Sequence, residues 1–250
     1  MNLEELLDET YKSKYIDQGS EEWENIRAGR FTSSEWYKLM SFGKRPMTEA
    51  ELKARPKTGK GSATKTVIDI TKFSDSGYTY INQKVAEVLT GKPKRPSYAY
   101  PLVYGKETEP EAVEYFEKIT GLKTEETGFI CFGDHAGGSP DRLIGDDELL
   151  EVKCPYESEN QVAYLMLTDH WDLKNNYPDK YWQVVTQLLF TGRKRAHWAT
   201  YDPRMVRPEH KLVHLIIEAK DVQEDMDMCE PVLLKAIEEK LQTINMLMKS

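Results

Sequence analysis

Apolar residues recur at helical spacing in several parts of the chain, and residues that cap helices bound these parts. Ser20 precedes an acidic turn and Gly29 follows it, which predicts a short helix between them. Three longer helices, each closed by a glycine, are predicted to end at Gly91, Gly121 and Gly192. The second of them carries Pro110, which is tolerated near a first turn. Further helices are predicted at residues 2–11, after Thr32–Ser34, at about 158–168 and at about 222–248.

Shorter apolar runs, bounded by glycine, proline and charged residues, predict strands. They lie at residues 127–133, 139–145, 148–155, 195–202 and 211–219. Helices therefore come first, a cluster of strands follows, and helices then alternate with strands. This order predicts one α/β domain over residues 1–250, with a central mixed β-sheet flanked by helices.

Two acidic residues interrupt a pair of these apolar runs. If the acidic turn Gly-Asp-Asp forms the tip of a hairpin, residues whose numbers sum to about 292 face each other. Asp141 then lies opposite Glu151 or diagonal to it. Side chains alternate along a strand, so Lys153 shares the face of Glu151 while the apolar residues between them face the core.

Two neighbouring carboxylates repel each other unless a cation lies between them. Oxygen ligands favour Mg²⁺ or Mn²⁺, and an adjacent lysine can orient water and stabilise charge at phosphorus. The face predicted for Asp141, Glu151 and Lys153 thus suits metal-assisted hydrolysis of a phosphodiester. The alternative is an exposed edge hairpin that merely carries charges.

The composition is that of a water-soluble protein. No apolar run reaches the length of a membrane span, and the acidic N-terminus does not resemble a signal peptide. Three scattered cysteines form no disulfide framework, so we expect a reducing cytoplasm. The net charge of −8 argues against a protein that coats nucleic acid, but it permits an enzyme with a cationic channel and an acidic exterior.

Residues 43–66 depart from this acidic balance and predict a basic, irregular arm. Glu49 and Glu51 are the acidic residues of this segment. Its basic residues are Lys44, Arg45, Lys53, Arg55, Lys57, Lys60 and Lys65. The arm is either a solvated flexible loop or a loop that touches DNA.

Several motifs together resemble a known family. Ser-Pro-Asp at 139–141, followed by Leu-Leu-Glu-Val-Lys-Cys-Pro at 149–155, resembles the signature of PD-(D/E)xK nucleases. The segments at 104–109 and 201–205, and a W-x3-R-x-G-x2-T-x-S pattern from Trp23 to Ser34, are similar to the phage λ-type exonuclease family of viral recombinases. The resemblance covers about residues 20–218 and implies a restriction-endonuclease-like core.

The resemblance also implies roles for individual residues. Asp141, Glu151 and the backbone carbonyl of Val152 would bind the catalytic Mg²⁺, which Mn²⁺ could replace, and Lys153 would activate or position water. Two further catalytic residues would be Glu109, a helical acid, and Gln183, on a helix beside the sheet. Two residues would bind the 5′-phosphate of the DNA end, namely Arg27 and Ser34. For Arg27 the alternative is a surface cation stacked on Trp23.

The chain departs from the family pattern at two positions. Val185 stands where the λ branch has a second glutamine, so the active-site glutamine is either Gln183 or Gln187. Arg142 stands where a glycine usually follows the aspartate, and it either contacts DNA or pairs with an acid of the turn.

What the resemblance implies as a whole is a 5′→3′ exonuclease for double-stranded DNA. It would release mononucleotides, leave 3′ single-strand overhangs, and act in phage-type recombination in the cytoplasm of a bacterial host. The family implies a homotrimeric ring around DNA and a single-strand annealing protein as partner, with no role at a membrane. Three cysteines make an iron–sulfur nuclease of the same superfamily an unfavourable interpretation, because its cluster needs four.

Two other functions stay open at this point. A PD-(D/E)xK endonuclease of repair or restriction type would use the same core on internal sites. A non-catalytic module that binds DNA ends would keep the fold without the reaction, although Asp141, Glu151 and Lys153 are all present.

Overall fold

A computed structural model describes residues 18–54, 66–94 and 99–249. The helix predicted at residues 2–11 lies outside these ranges. The helices are α1 (Glu21–Arg27), α2 (Glu49–Ala54), α3 (Asp75–Thr90), α4 (Tyr100–Thr120), α5 (Ser158–Tyr164), α6 (His170–Asn176), α7 (Pro178–Thr191), α8 (Pro208–Lys211) and α9 (Gln223–Met248). Single 3-10 helices lie at Ser33–Lys38 and Ala219–Val222.

Of the described strands, five have five to eight residues and five have two or three. They are β1 (Phe31–Thr32), β2 (Phe42–Pro46), β3 (Thr66–Phe73), β4 (Glu125–Glu126), β5 (Ile130–Phe132), β6 (Ala136–Gly138), β7 (Arg142–Ile144), β8 (Glu148–Lys153), β9 (Arg195–Tyr201) and β10 (Leu212–Glu218). Among the described residues, none of the helices is long and apolar enough to cross a lipid bilayer.

The main sheet has the strand order β10-β9-β8-β7-β4. Strands β8 and β9 run parallel, whereas the other neighbours run antiparallel. The predicted α/β class with a mixed sheet flanked by helices is therefore confirmed. Since β8 lies between two other strands, the alternative of a charged edge hairpin is wrong.

The register of the β7–β8 hairpin agrees with the turn that the sequence predicts. Arg142 pairs with Leu150, Leu143 with Leu149, and Ile144 with Glu148. One more step along this ladder brings Asp141 opposite Glu151.

Strand β8 is buried on both faces. On one face Leu149 packs in a core that includes Val184 and Leu188 of α7. On the other face Leu150 and Val152 pack in a second core with Phe116 of α4. The sheet is thus held between α4 and α7, and a polar side chain on the face of Leu149 must find its partners on α7.

Local signals account for several helix ends. The hydroxyl of Ser20 accepts the backbone N–H of Trp23 at 3.1 Å and so caps α1. The glycines predicted to end α3, α4 and α7 adopt left-handed backbone conformations. Helix α4, however, begins at Tyr100, so Pro110 lies in its interior instead of its first turn.

The segment predicted to be an irregular arm is partly regular. Strand β2 pairs antiparallel with β3 in a separate two-stranded ribbon, and α2 follows β2. Residues 43–54 thus differ from the prediction, while residues 55–65 lie outside the described ranges. The helix predicted at about 222–248 is α9.

Candidate active site

Glu151 is the centre of a polar cluster inside the protein. It lies on β8, and its side chain is 1% exposed. A buried carboxylate is costly unless donors or cations satisfy it. Here the Nε2 of Gln183 donates to Oε1 at 2.5 Å, the Nε2 of Gln187 donates to Oε2 at 2.6 Å, and the ammonium of Lys153 pairs with Oε1.

Both glutamines contact Glu151 because they lie on one face of α7. Residues four apart in a helix are neighbours on its surface, so Gln183 and Gln187 reach the same carboxylate from successive turns. The sequence left open which of the two faces the site. The structure brings both to it, one on each oxygen of Glu151.

Asp141 enters the cluster at the start of the hairpin. Its Oδ2 accepts the backbone N–H of Val152 at 2.6 Å, which fixes the carboxylate beside β8. Burial, and then the negative charge of Glu151, raise the pKa of Asp141 well above its usual value. Ionising both Asp141 and Glu151 therefore requires more positive charge than the surrounding protein groups supply.

Lys153 is the cation next to these two acids. Burial by itself lowers the pKa of its ammonium, but the charges of Glu151 and Asp141 outweigh that effect and raise the pKa above its usual value. With these protein groups around it, Lys153 is protonated at neutral pH and acts as a donor.

Glu109 of α4 lies at the edge of the cluster. Its Oε1 accepts a hydrogen bond from Arg142 at 3.2 Å. Burial is the largest influence on Glu109; together with the charge of Glu151 it raises the pKa of this carboxyl against the opposing effect of Arg142. Arg142 also lies 3.8 Å from Glu126, so its acidic partners come from α4 and β4 and not from the hairpin turn.

The two residues expected to bind a 5′-phosphate lie on α1 and on the 3-10 helix that begins at Ser33. The guanidinium of Arg27 stacks 3.7 Å above the ring of Trp23, as the alternative interpretation expected. Stacking leaves the edge of a guanidinium available to an anion, so the two interpretations are compatible. Ser34 is exposed, and its hydroxyl lies 3.4 Å from that of Thr32.

Helix α1 is joined to the segment that leads into the β7–β8 hairpin by a contact that the sequence did not predict. The indole N–H of Trp23 donates to the hydroxyl of Ser139 at 3.0 Å, two residues before Asp141. The tryptophan of the W-x3-R pattern was the available signal, but its spacing to Arg27 says nothing about a partner 116 residues away.

The cluster has the chemistry of a site for a hard divalent cation. Within the described ranges, no three His, Cys, Asp or Glu side chains come close enough to form an ion site by themselves. Two neighbouring carboxylates, of which Glu151 raises the pKa of Asp141, nevertheless fit, together with a backbone carbonyl, an ion that prefers oxygen ligands and retains water. Asp141, Glu151 and the carbonyl of Val152 would hold it.

Comparison with known proteins agrees with this fold. A similar solved structure is the alkaline exonuclease LHK-Exo from Laribacter hongkongensis, with 22% identity over 92% of this chain and 97% of that chain, and a TM-score of 0.67. The same exonuclease in complex with dAMP gives a TM-score of 0.66. A phage related exonuclease from Haemophilus somnus 129PT is 12% identical over 87% of this chain and 96% of that chain, with a TM-score of 0.61.

No curated protein matches the chain. Residues 22–194 match the model of a family described as the YqaJ-like viral recombinase domain. This stretch is more than half of the chain and contains every candidate site residue described above. The protein therefore belongs to the family of YqaJ-like viral recombinase domains.

Proposed function

We propose that the protein is a Mg²⁺-dependent exonuclease that digests one strand of duplex DNA from its 5′ end. The observation that carries the proposal is the buried Glu151, held by two glutamines and a lysine beside Asp141. The viral recombinase family and the similar folds of two exonucleases support it.

Asp141 and Glu151 provide the negative charge for a divalent ion, and their hydrogen bonds fix the positions of the carboxylates. Asp141 and Glu151, with the carbonyl of Val152, would hold Mg²⁺ or its substitute Mn²⁺. When bound, such an ion supplies Lewis-acid polarisation of a phosphoryl oxygen and makes a coordinated water more acidic. The hydrogen bonds of the two glutamines hold Glu151 in one orientation, so that little reorganisation is needed when substrate arrives.

The cations act on the substrate. Lys153, protonated in this surrounding, donates a hydrogen bond to the attacking water or to an oxygen of the scissile phosphate and stabilises the charge that develops there. Arg27 and Ser34 bind the terminal 5′-phosphate, since a guanidinium forms paired hydrogen bonds with phosphate oxygens. Anchoring that end gives the reaction its 5′→3′ polarity, leaves 3′ overhangs, and suits recombination with an annealing protein.

A time course on linear duplex DNA, labelled at either the 5′ or the 3′ terminus, tests activity, polarity and cofactor together. We expect early release of the 5′ label as mononucleotide, only with Mg²⁺ or Mn²⁺. Prior release of the 3′ label, or release without a divalent cation, would contradict the proposal.

Two other functions are separated by simple substrates. A covalently closed circle should remain intact, whereas an endonuclease would cut it. A non-catalytic end-binding module would release no nucleotide, and its Asp141→Ala variant would bind DNA ends as the wild type does.

A further inference from the structure

The 5′-phosphate anchor and the catalytic carboxylate are joined by a continuous set of contacts. Arg27 stacks on Trp23 at 3.7 Å, and the Nε1–H of Trp23 donates to the hydroxyl of Ser139 at 3.0 Å. On the other side of Ser139, its carbonyl accepts the Nε2 of Gln187 at 3.4 Å, and the same Nε2 donates to Glu151 at 2.6 Å. We call Trp23, Ser139 and Gln187 the bridge.

The bridge contains a polar group that packing alone does not explain. Gln187 is 0% exposed, and within the described part of the chain its Oε1 is buried without a hydrogen-bond partner. A buried unsatisfied carbonyl is unfavourable. Rotating the amide would place this oxygen against the carboxylate of Glu151, so the observed orientation is imposed by Glu151.

The bridge also spans two separate parts of the fold. Trp23 lies on α1 and Gln187 lies on α7, and both bind the residue that precedes Pro140 and Asp141. In addition, the side chain of Gln18 donates to the carbonyl of Pro140 at 3.0 Å. The segment that leads into Asp141 therefore has hydrogen bonds to residues of both α1 and α7.

We propose that Trp23 and Gln187 are positioning residues, joined through Ser139, that fix the distance between the anchored 5′-phosphate and Glu151. This inference rests on the proposed exonuclease function and deepens it. A fixed distance places one particular phosphodiester at the carboxylates, so the bridge determines that the product is a mononucleotide.

The first test uses Trp23→Phe, which keeps a ring beneath Arg27 and removes the indole N–H. We expect turnover on 5′-phosphorylated ends to fall about tenfold, the effect of one lost hydrogen bond, with products longer than one nucleotide appearing. A 5′-hydroxyl end lacks the phosphate that Arg27 would hold. On such ends the rate of the variant should stay within about twofold of the wild-type rate. A purely structural role would slow both ends equally and leave the product length unchanged, which would overturn the proposal.

Trp171→Phe is the matched control. Trp171 is 49% exposed and also lies under a cation, since the ammonium of Lys174 is 5.2 Å from its ring. This variant should digest both kinds of end as the wild type does. If it reproduces the effects of Trp23→Phe, the proposal is wrong.

A double-mutant cycle tests whether the residues act as a unit. Ser139→Ala removes the acceptor of the same hydrogen bond, so Trp23→Phe/Ser139→Ala should be no slower than the slower single variant. If the two factors multiply instead, the contact between Trp23 and Ser139 does not link the anchor to the site.

Gln187→Met tests the other end of the bridge without relying on turnover. Methionine matches the length of glutamine but cannot donate to Glu151, so Mn²⁺ binding measured by electron paramagnetic resonance should weaken about tenfold. Gln161→Met is the control, because Gln161 is also 0% exposed but donates to the carbonyls of His210 and Lys211. It should lower the melting temperature and leave Mn²⁺ affinity unchanged.

Failure of the inference differs from failure of the proposed function. If the wild type releases no nucleotide with Mg²⁺, the exonuclease assignment is wrong. If the wild type is active while Trp23→Phe keeps mononucleotide products and full turnover on 5′-phosphorylated ends, only the bridge is wrong.

Discussion

At the scale of single residues, the cluster depends on one negative charge. Glu151 is the group on which Gln183, Gln187 and Lys153 converge. Its neutral isostere would keep the shape of the site and remove the charge that would hold a cation. Shape and charge can therefore be tested separately at this position.

Glu151→Gln should reduce nucleotide release at least about a hundredfold, because a buried electrostatic contact of this kind supplies several kcal/mol to a transition state. Its melting temperature should stay close to that of the wild type, since the side chain keeps its volume. Asp147→Asn, in the exposed hairpin turn, is the control and should be fully active. Wild-type activity in Glu151→Gln would remove Glu151 from the mechanism.

Arg27→Ala should mainly slow digestion of 5′-phosphorylated ends, because it removes the guanidinium that we propose as the ligand of the terminal phosphate. Initial rates on matched 5′-phosphate and 5′-hydroxyl substrates measure the effect, which we expect to be about tenfold or more on the former. Arg30→Ala is the comparison, because the guanidinium of Arg30 donates to the carbonyl of Ile26. Equal slowing of Arg27→Ala on both substrates would contradict the phosphate assignment.

Sequence alone could predict the residues whose positions follow from strand alternation. The common face of Asp141, Glu151 and Lys153 needs only the hairpin register and a period of two. It could not predict that both glutamines meet Glu151, because that depends on which side of α7 faces the sheet. Nor could it predict the partners of Arg142, which come from α4 and β4 and not from the hairpin turn.

At the scale of elements, helices and strands with a strong apolar periodicity were predicted from the sequence, and those with a weak periodicity were not. The central strands and the long helices were predicted because each has an apolar face or a capping glycine. Strand β3 was missed because its side chains are mostly exposed or half-buried, so no buried face marks it. Strands β1 and β4 have two residues each, too few for any period.

Strands β8, β9 and β10 share a partly buried polar contact away from the carboxylate cluster. Nδ1 of His197 lies 2.8 Å from Nε2 of His214, and Nε2 of His197 lies 2.6 Å from Glu148. Glu148 also pairs with Arg195, and the ring of Phe116 packs edge-on against both imidazoles. If Nε2 of His197 donates to Glu148, its Nδ1 is the acceptor for the Nε2–H of His214.

This contact makes the stability of the protein depend on pH. Burial, and then His197, lower the pKa of His214 to about 4, so the folded state keeps this ring neutral while the unfolded state takes up a proton below its ordinary pKa of 6.5. Stability is therefore present above that value and is lost as the pH falls towards 4. For this half-buried ring we expect a loss of about 1 to 2 kcal/mol between pH 7 and pH 5.

Urea unfolding of wild type and His214→Gln at both pH values measures this loss. The variant keeps a donor towards His197 and cannot titrate, so its stability should fall less. His135, whose pKa burial and then Lys240 also lower to about 4, titrates in both proteins and cancels in the difference. The exposed His210→Gln should behave like the wild type, and an equal fall for all three proteins would contradict the assignment.

At the scale of the whole molecule, charge is the property that needs an explanation. A net charge of −8 repels DNA unless the cationic groups are collected where the substrate lies. The ring of three chains implied by the resemblance would direct such groups inward and leave the acidic surface outside. Assembly into such a ring would reconcile the acidic net charge with the binding of DNA.

Sedimentation equilibrium tests the assembly. We expect a species of about 87 kDa, three times the 28.9 kDa of one chain, that persists at micromolar concentration. Raising the salt concentration should weaken DNA binding more than it weakens the assembly, because phosphate contacts release counterions. A monomer active on DNA ends would exclude the ring.

Because β8 lies at the centre of the sheet, a change in its register affects both the folding of the protein and the geometry of the site. A slip of one residue in this strand would turn Glu151 away from the glutamines and would also turn Leu149 and Leu150 out of their cores. Natural selection for a correctly folded sheet therefore also preserves the position of Glu151 relative to the glutamines. Mutations that misplace them through this strand would be eliminated first as unfolded protein.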